Sequence, residues 1–124
     1  MAIEYTAVLE WQGPIIKEGL RPIALVRGDG LPDLIFVVHD SNGDLADLTG
    51  ATAVFKIRYA GMSTTTNDAH NTCTVTVATA RVTYDLDATD FPRDGLYEGE
   101  VVLTIGGVTQ TIYNVVYMRV RSSF

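Results

Sequence analysis

The feature that most constrains this chain is its division into short apolar segments that are separated by turn residues. In Ala51–Tyr59, for example, apolar positions alternate with Thr52, Lys56 and Arg58. An alternation with a period of two places the two sets on opposite faces of a β-strand. No segment keeps a period of about 3.6 residues over the length that an amphipathic helix requires. The sequence therefore predicts an all-β protein.

The apolar segments and the turn residues between them predict about seven strands, with turn signals recurring roughly every 8–12 residues. The apolar run within Asp33–Asp40 is almost continuous, which favours a strand buried on both faces. Val108–Val120 is predicted as the last and longest strand, with apolar or aromatic residues on both faces. The other strands are predicted at Pro22–Arg27, Thr72–Ala78, Arg81–Leu86 and Leu96–Ile105. This pattern favours an immunoglobulin-like antiparallel β-sandwich of about seven strands.

A local motif near Tyr97 supports the sandwich. Gly95 and Tyr97 open a late strand, where sandwiches often have a tyrosine corner, a tyrosine whose hydroxyl bonds to upstream backbone. Gly99 stands where an antibody domain has its second cysteine, and Cys73 is the only cysteine in the chain. An intrachain disulfide is therefore excluded. We interpret Cys73 as an ordinary half-buried strand residue.

The first part of the chain differs from the rest because it keeps no regular apolar period. We interpret residues 1–21 as an N-terminal arm, with one short strand around Tyr5–Leu9, and residues 22–124 as the sandwich domain. Trp11, the only tryptophan, either covers the core of its own domain or anchors the arm in a neighbouring subunit.

The last predicted strand and the arm supply the candidate interface residues. A two-sheet sandwich buries one face of each strand, so the second apolar face of Val108–Val120 is covered either by the arm or by another subunit. The candidate interface residues are Trp11, Ile15, Ile16, Tyr113, Val115 and Tyr117.

Composition argues against two classes of partner. The net charge is −6, with 15 acidic and 9 basic residues, which is unfavourable for binding nucleic acid or an anionic membrane surface. The longest apolar run, Leu34–Val38, is too short to span a bilayer, and the start of the chain has no signal-peptide pattern. We expect a protein made in the cytoplasm, with no nucleic acid and no membrane among its partners.

No group of residues carries a recognisable catalytic or metal-binding pattern. His39 and His70 are not at a metal-ligand spacing, and we interpret His39 as a core-edge residue and His70 as solvated. Asp40–Asp44 lacks the glycine and glutamate positions of a calcium loop and is better explained as a hairpin turn. Gly28–Gly30 lacks the lysine and the helix of a phosphate-binding loop.

Four acidic residues fall close together in the sequence. Asp85, Asp87, Asp90 and Asp94 border a connection that we expect to contain one helical turn, and the preference of aspartate for turns and helix starts explains them. No serine–histidine or cysteine–histidine pair is evident. We therefore expect no enzyme activity, no catalytic or metal-binding residue and no cofactor.

The order of these segments resembles the N-terminal immunoglobulin-like domain of siphophage baseplate upper proteins, found more widely on phage tail and head-surface proteins. The resemblance covers roughly residues 22–120 and consists of turn and strand motifs. The matching motifs are Arg27–Asp29, the apolar run ending at Asp40 with Gly43, Leu48–Thr52, Phe55–Ile57, Val82–Leu86, Asp94–Glu100 and Gly106–Gly107.

The resemblance implies a structural module that docks onto a virion and orients a partner domain. Because the chain ends at Phe124, we expect a stand-alone module: a capsid decoration, neck or tail- or baseplate-associated protein in many copies or as a homo-oligomer. The alternative is a carbohydrate- or host-surface-binding module that uses the polar loop Gly61–Asn71 and exposed tyrosines. Virion proteins are the partners implied by the first hypothesis.

Overall fold

The computed structural model describes residues 2–8, 15–16, 22–40, 42–111 and 116–122, with side chains from residue 22 onward. These ranges contain ten β-strands and two 3₁₀ turns, Val77–Thr79 and Ala88–Asp90. The strands are β1 (Ala2–Val8), β2 (Ile15–Ile16), β3 (Ile23–Arg27), β4 (Asp33–His39), β5 (Thr52–Tyr59), β6 (Thr74–Thr76), β7 (Arg81–Asp85), β8 (Gly95–Ile105), β9 (Val108–Thr111) and β10 (Val116–Ser122).

The strands form two sheets that enclose one apolar core. Sheet A has the order β2-β1-β4-β7-β6, and sheet B has the order β3-β10-β8-β5, with β9 also paired to β8. β4, β7 and β6 in one sheet and β10, β8 and β5 in the other follow the strand distribution of an immunoglobulin sandwich. The prediction of an all-β sandwich is confirmed. β1 extends sheet A as a parallel neighbour of β4.

Two strands, β1 and β2, fall within residues 1–21, the segment interpreted as an arm. β1 includes most of the short strand expected around Tyr5–Leu9 and begins earlier, at Ala2. β2 pairs with it through Ile15 and Ile16. The division of the chain into an arm and a domain at residue 22 stays a prediction.

The prediction that β4 is buried on both faces is wrong. Leu34, Phe36 and Val38 are fully buried, whereas the alternate residues Ile35 and Val37 are only partly buried. Only one face of β4 packs against the opposite sheet. Buried and partly buried residues therefore alternate along the strand, although the residues of its central run are all apolar.

The centre of the core depends on Gly99. The ring of Phe55 lies with its centroid 5.8 Å from that of Phe36 and 5.0 Å from that of Tyr84. A Cβ atom on Gly99 would lie 2.2 Å from Cζ of Phe55, well inside van der Waals contact. Phe55 therefore fills space next to the position at which an antibody domain has its second disulfide cysteine.

The tyrosine corner predicted at Tyr97 is present. The Tyr97 hydroxyl donates to the carbonyl oxygen of Arg93 at 2.7 Å and accepts from the Arg93 amide at 3.1 Å. Its ring is fully buried and packs edge-on against Phe91 and Tyr59, at centroid distances of 5.1 and 5.2 Å. These contacts fix the start of β8 to the connection that precedes it.

The prediction of one strand over Val108–Val120 is wrong, because β9 and β10 pair with β8 in different registers. Thr111 of β9 is opposite Val102, and Val116 of β10 is opposite Gly99. Four residues lie between Thr111 and Val116 along the chain, but only two lie between their partners on β8. In a single regular antiparallel ladder these two numbers would be equal.

The loop after β5 covers the free edge of that strand. Thr65 and Thr72 form isolated bridges with Arg58 and Val54, and the Cys73 amide donates to a β5 carbonyl. A covered edge leaves few backbone groups for pairing with another chain. The strand predicted at Thr72–Ala78 is shortened to β6, since residues 77–79 form a 3₁₀ turn.

Candidate functional site

The candidate interface residues within the described ranges belong to different sheets. Ile15 and Ile16 form β2 at one edge of sheet A. Tyr117 lies in β10 of sheet B, where its side chain alternates with buried neighbours and is partly exposed. The other candidates, Trp11, Tyr113 and Val115, lie outside the described residues.

The outer face of sheet B carries two opposed charge pairs beside Tyr117. Lys56 and Arg58 of β5 stand directly across from Glu100 and Glu98 of β8. Nε of Arg58 donates to a carboxylate oxygen of Glu98 at 3.3 Å. Opposite charges at facing positions of neighbouring strands stabilise a sheet by about 0.2–1 kcal/mol per pair.

These four charged residues line a groove that the loop after β5 helps to build. The groove has a volume of about 230 Å³, and its lining residues define what we call the sheet B groove. They are Lys56, Arg58, Ser63, Thr65, Glu98, Gly99 and Glu100. Because Thr65 pairs with Arg58 at the strand edge, the loop places its hydroxyl groups beside the charged strands.

A second, more apolar cavity of about 210 Å³ also borders this loop. Tyr59, Met62 and Pro92 are among its lining residues. The guanidinium carbon of Arg93 lies 3.9 Å from the centre of the Tyr59 ring, a cation–π contact that covers one face of the ring. The Met62 side chain is half exposed.

Asn67 attaches the same loop to the interior. Its side chain is buried. Its amide group forms hydrogen bonds with two backbone groups of β5 that would otherwise pair with a neighbouring strand. The Ile57 amide donates to Asn67 Oδ1 at 2.9 Å, and Asn67 Nδ2 donates to the Phe55 carbonyl at 2.6 Å. A single side chain thereby satisfies polar groups that would otherwise be buried without partners.

Tyr84 and Asp90 complete a buried polar cluster with Asn67. Asn67 Nδ2 donates to the Tyr84 hydroxyl at 3.1 Å, and that hydroxyl lies 2.6 Å from the His70 carbonyl and 2.8 Å from Asp90 Oδ2. One phenol proton cannot serve both oxygens. The Tyr84 hydroxyl therefore donates to either the His70 carbonyl or the Asp90 carboxylate, and burial raises the pKa of Asp90.

His70 contacts this cluster, so its interpretation as a merely solvated residue is incomplete. About half of its side chain is exposed, and its Nδ1 lies 3.2 Å from the Tyr84 hydroxyl and 3.6 Å from Asp90 Oδ1. That Asp90 oxygen has no hydrogen-bond partner among the described residues. His39, by contrast, lies partly buried at the end of β4, as the sequence predicts.

The four clustered acids have separate roles. Asp87 caps the 3₁₀ turn expected from the sequence, and hydrogen bonds from Thr89 lower the pKa of Asp87. Asp94 pairs with Arg27 at 2.7 Å, and Asp85 lies on β7. The burial of Asp90 escaped the sequence reasoning, although the spacing Asp87-x-x-Asp90 is that of a capping box.

Three further observations concern chemistry and membranes. Burial raises the pKa of the Cys73 thiol to about 12, which keeps it protonated at neutral pH. Among the described side chains, no three His, Cys, Asp or Glu residues are grouped so as to hold a metal ion. None of the helical segments in the described ranges is long and apolar enough to cross a membrane.

The comparisons with known proteins bear on the fold. No protein-family model matches the chain, and no curated protein matches it in sequence. Among solved structures, the N-terminal domain of phage TP901-1 ORF48 matches with a TM-score of 0.58 and 13% sequence identity. The match covers 95% of this chain and 98% of that domain. At this identity, the likeness shows a shared fold alone.

Proposed function

We propose that the chain is a structural component of a phage virion and acts by assembling with other virion proteins. The observation that carries this proposal is the fold it shares, over nearly the whole length of both chains, with a domain of a phage protein. The resemblance of its turn and strand motifs to phage baseplate domains supports the same class. Its finer role is as a capsid decoration, neck or tail- or baseplate-associated module.

The proposed contacts with other virion proteins involve the outer face of sheet B around Tyr117. A partly buried tyrosine on an outer sheet face offers a large rigid contact surface, and tyrosine is enriched in interface hot spots. Ile15 and Ile16, at one edge of sheet A, provide a second contact. Many symmetric copies compensate for a small contact area per copy, because linked binding events raise the overall affinity.

The proposed role is not catalytic. The charged side chains of the sheet B groove are arranged as opposed pairs, with Arg58 bonded to Glu98. Opposite charges that face each other in this way stabilise the sheet.

The test uses an amber mutation in the gene, complemented with wild-type or variant chains, followed by gradient purification of particles. We expect the amber lysate to yield defective particles that the wild-type chain restores. Tyr117→Ala should reduce incorporation more than Val37→Ala, a matched change of a partly buried outward residue on sheet A. Normal particles from the amber lysate would contradict the proposal.

A further inference from the structure

The sheet B groove has a balanced set of charges. Lys56 and Arg58 lie on one strand, with Glu100 and Glu98 directly across on the next. The four formal charges cancel within the groove, whereas the whole chain has a net charge of −6. A charged ligand would gain little net Coulomb attraction here, since each charge of the groove has an opposite charge beside it.

The same groove is rich in hydrogen-bonding groups of both kinds. The carboxylates of Glu98 and Glu100 only accept, and the cations of Lys56 and Arg58 only donate. Thr65 donates its hydroxyl proton to Asp68, so its oxygen is left as an acceptor. A ligand that matches this set carries many groups that both donate and accept, and hydroxyl groups do so.

The size and position of the groove narrow the class of ligand. A volume of about 230 Å³ is many times the space that one water molecule needs, which leaves room for a ligand as large as a single sugar ring. The groove lies on a sheet face beside the edge of β5, and the loop that includes Thr65 and Thr72 covers that edge. An extended peptide usually binds by pairing with an open edge, so the position is unfavourable for a peptide.

We propose that the sheet B groove binds one ring of an uncharged saccharide. Glu98 and Glu100 accept hydrogen bonds from sugar hydroxyls, and Arg58 and Lys56 donate to sugar oxygens. The hydroxyl group of Ser63, on the loop, either donates or accepts a hydrogen bond. This binding goes beyond assembly into a particle and concerns the free chain, because the groove lies on the same outer face of sheet B as Tyr117.

The experiment titrates the full-length ¹⁵N-labelled chain with neutral sugars and follows amide chemical shifts by NMR. The probes are glucose, galactose, N-acetylglucosamine and maltose, with glucuronic acid as a charged comparison. We expect at least one neutral sugar to cause saturable shifts in the loop at residues 61–65 and in β8, with millimolar affinity. Added salt should leave this affinity unchanged, because the ligand carries no charge.

Two substitutions and a control locate the binding. Arg58→Ala and Glu100→Ala should each weaken it by roughly tenfold, the effect of losing one charge-assisted hydrogen bond. Arg119→Ala is the matched control, an exposed arginine on the same sheet but outside the groove lining. Thermal unfolding of each variant verifies that it is folded.

Three results would overturn the proposal: no saturable shift with any neutral sugar, binding of glucuronic acid alone with loss in salt, or equal affinities of the Arg58 and Arg119 variants. Incorporation into particles is measured separately, so failure of saccharide binding leaves the virion proposal standing.

Discussion

Tyr84 and Tyr97, both buried in the core, satisfy their hydroxyl groups in opposite ways. Tyr97 bonds to the backbone of Arg93, four residues upstream in the same segment. Tyr84 bonds to groups from other parts of the chain: the side chains of Asn67 and Asp90 and the backbone of His70. One hydroxyl depends on a local turn, and the other depends on three segments that meet only in the folded protein.

This difference has an energetic consequence. Removal of the Tyr97 hydroxyl affects one backbone site near the surface. Removal of any member of the buried cluster leaves other buried polar atoms without partners, and each such atom costs about 1–3 kcal/mol. Substitutions in the cluster should therefore destabilise the protein more than substitutions at the tyrosine corner, and they should interact with one another.

The largest effect is expected for Asn67→Ala. The change removes the partners of the Ile57 amide and the Phe55 carbonyl at the edge of β5, so we expect a loss of about 3 kcal/mol of unfolding free energy. Urea denaturation measures it. Asn71→Ala is the control, because Asn71 accepts from Phe55 through its backbone carbonyl, which alanine retains. Equal losses in the two variants would refute the role of the Asn67 amide.

The direct comparison is Tyr84→Phe against Tyr97→Phe. We expect losses of about 2 and about 1 kcal/mol, because the first leaves the buried Asn67 and Asp90 side chains without a shared partner and the second removes two bonds to the backbone of the exposed residue Arg93. Both changes keep the ring, so packing is nearly constant. A larger loss for Tyr97→Phe, measured by the same denaturation, would reverse the comparison.

A smaller, pH-dependent effect separates Asp90 from Asp87. Burial raises the folded-state pKa of Asp90 above its unfolded value of about 4. Its stabilising contribution is complete below that value and is lost as pH rises through the folded pKa. Asp90→Asn cannot ionise, and its amide oxygen still accepts from the Asp87 amide. The variant should therefore gain stability relative to the wild type as pH rises from about 4 to 7.

Asp87 provides the opposite case on the same turn. Hydrogen bonds from Thr89 lower its pKa, so its contribution is present above a pH of about 4 and is lost as pH falls through the folded pKa. Asp87→Asn should lose stability relative to the wild type at neutral pH and approach it in acid. Denaturation curves over this pH range would contradict both assignments if the two variants changed in the same direction.

The two tyrosines also show which parts of this structure can be predicted from the sequence. The corner at Tyr97 is encoded within a few residues, and the alternation in Thr52–Tyr59 is encoded in one strand, so both were predictable. Asp90 and Tyr84 belong to separate segments, and no local pattern indicates that Asn67 joins them. The register change between β9 and β10 likewise depends on how each pairs with β8. The alternation of apolar residues carries no information about this pairing.

The same limit applies to the candidate site. Tyr117 was identified because both faces of its segment are apolar, a pattern within one strand. The sheet B groove forms where Arg58 and Glu98, far apart in the sequence, face each other beside a loop that folds back. Its charge balance becomes visible only once the strand register is known.

The most direct test of the proposed function is quantitative mass spectrometry of gradient-purified particles from a lysate in which this chain is produced. If the chain is a structural component, its peptides should co-sediment with infectious particles at a constant ratio to the major structural proteins. A chain that remains entirely in the soluble fraction, with none bound to purified particles, would contradict the proposal.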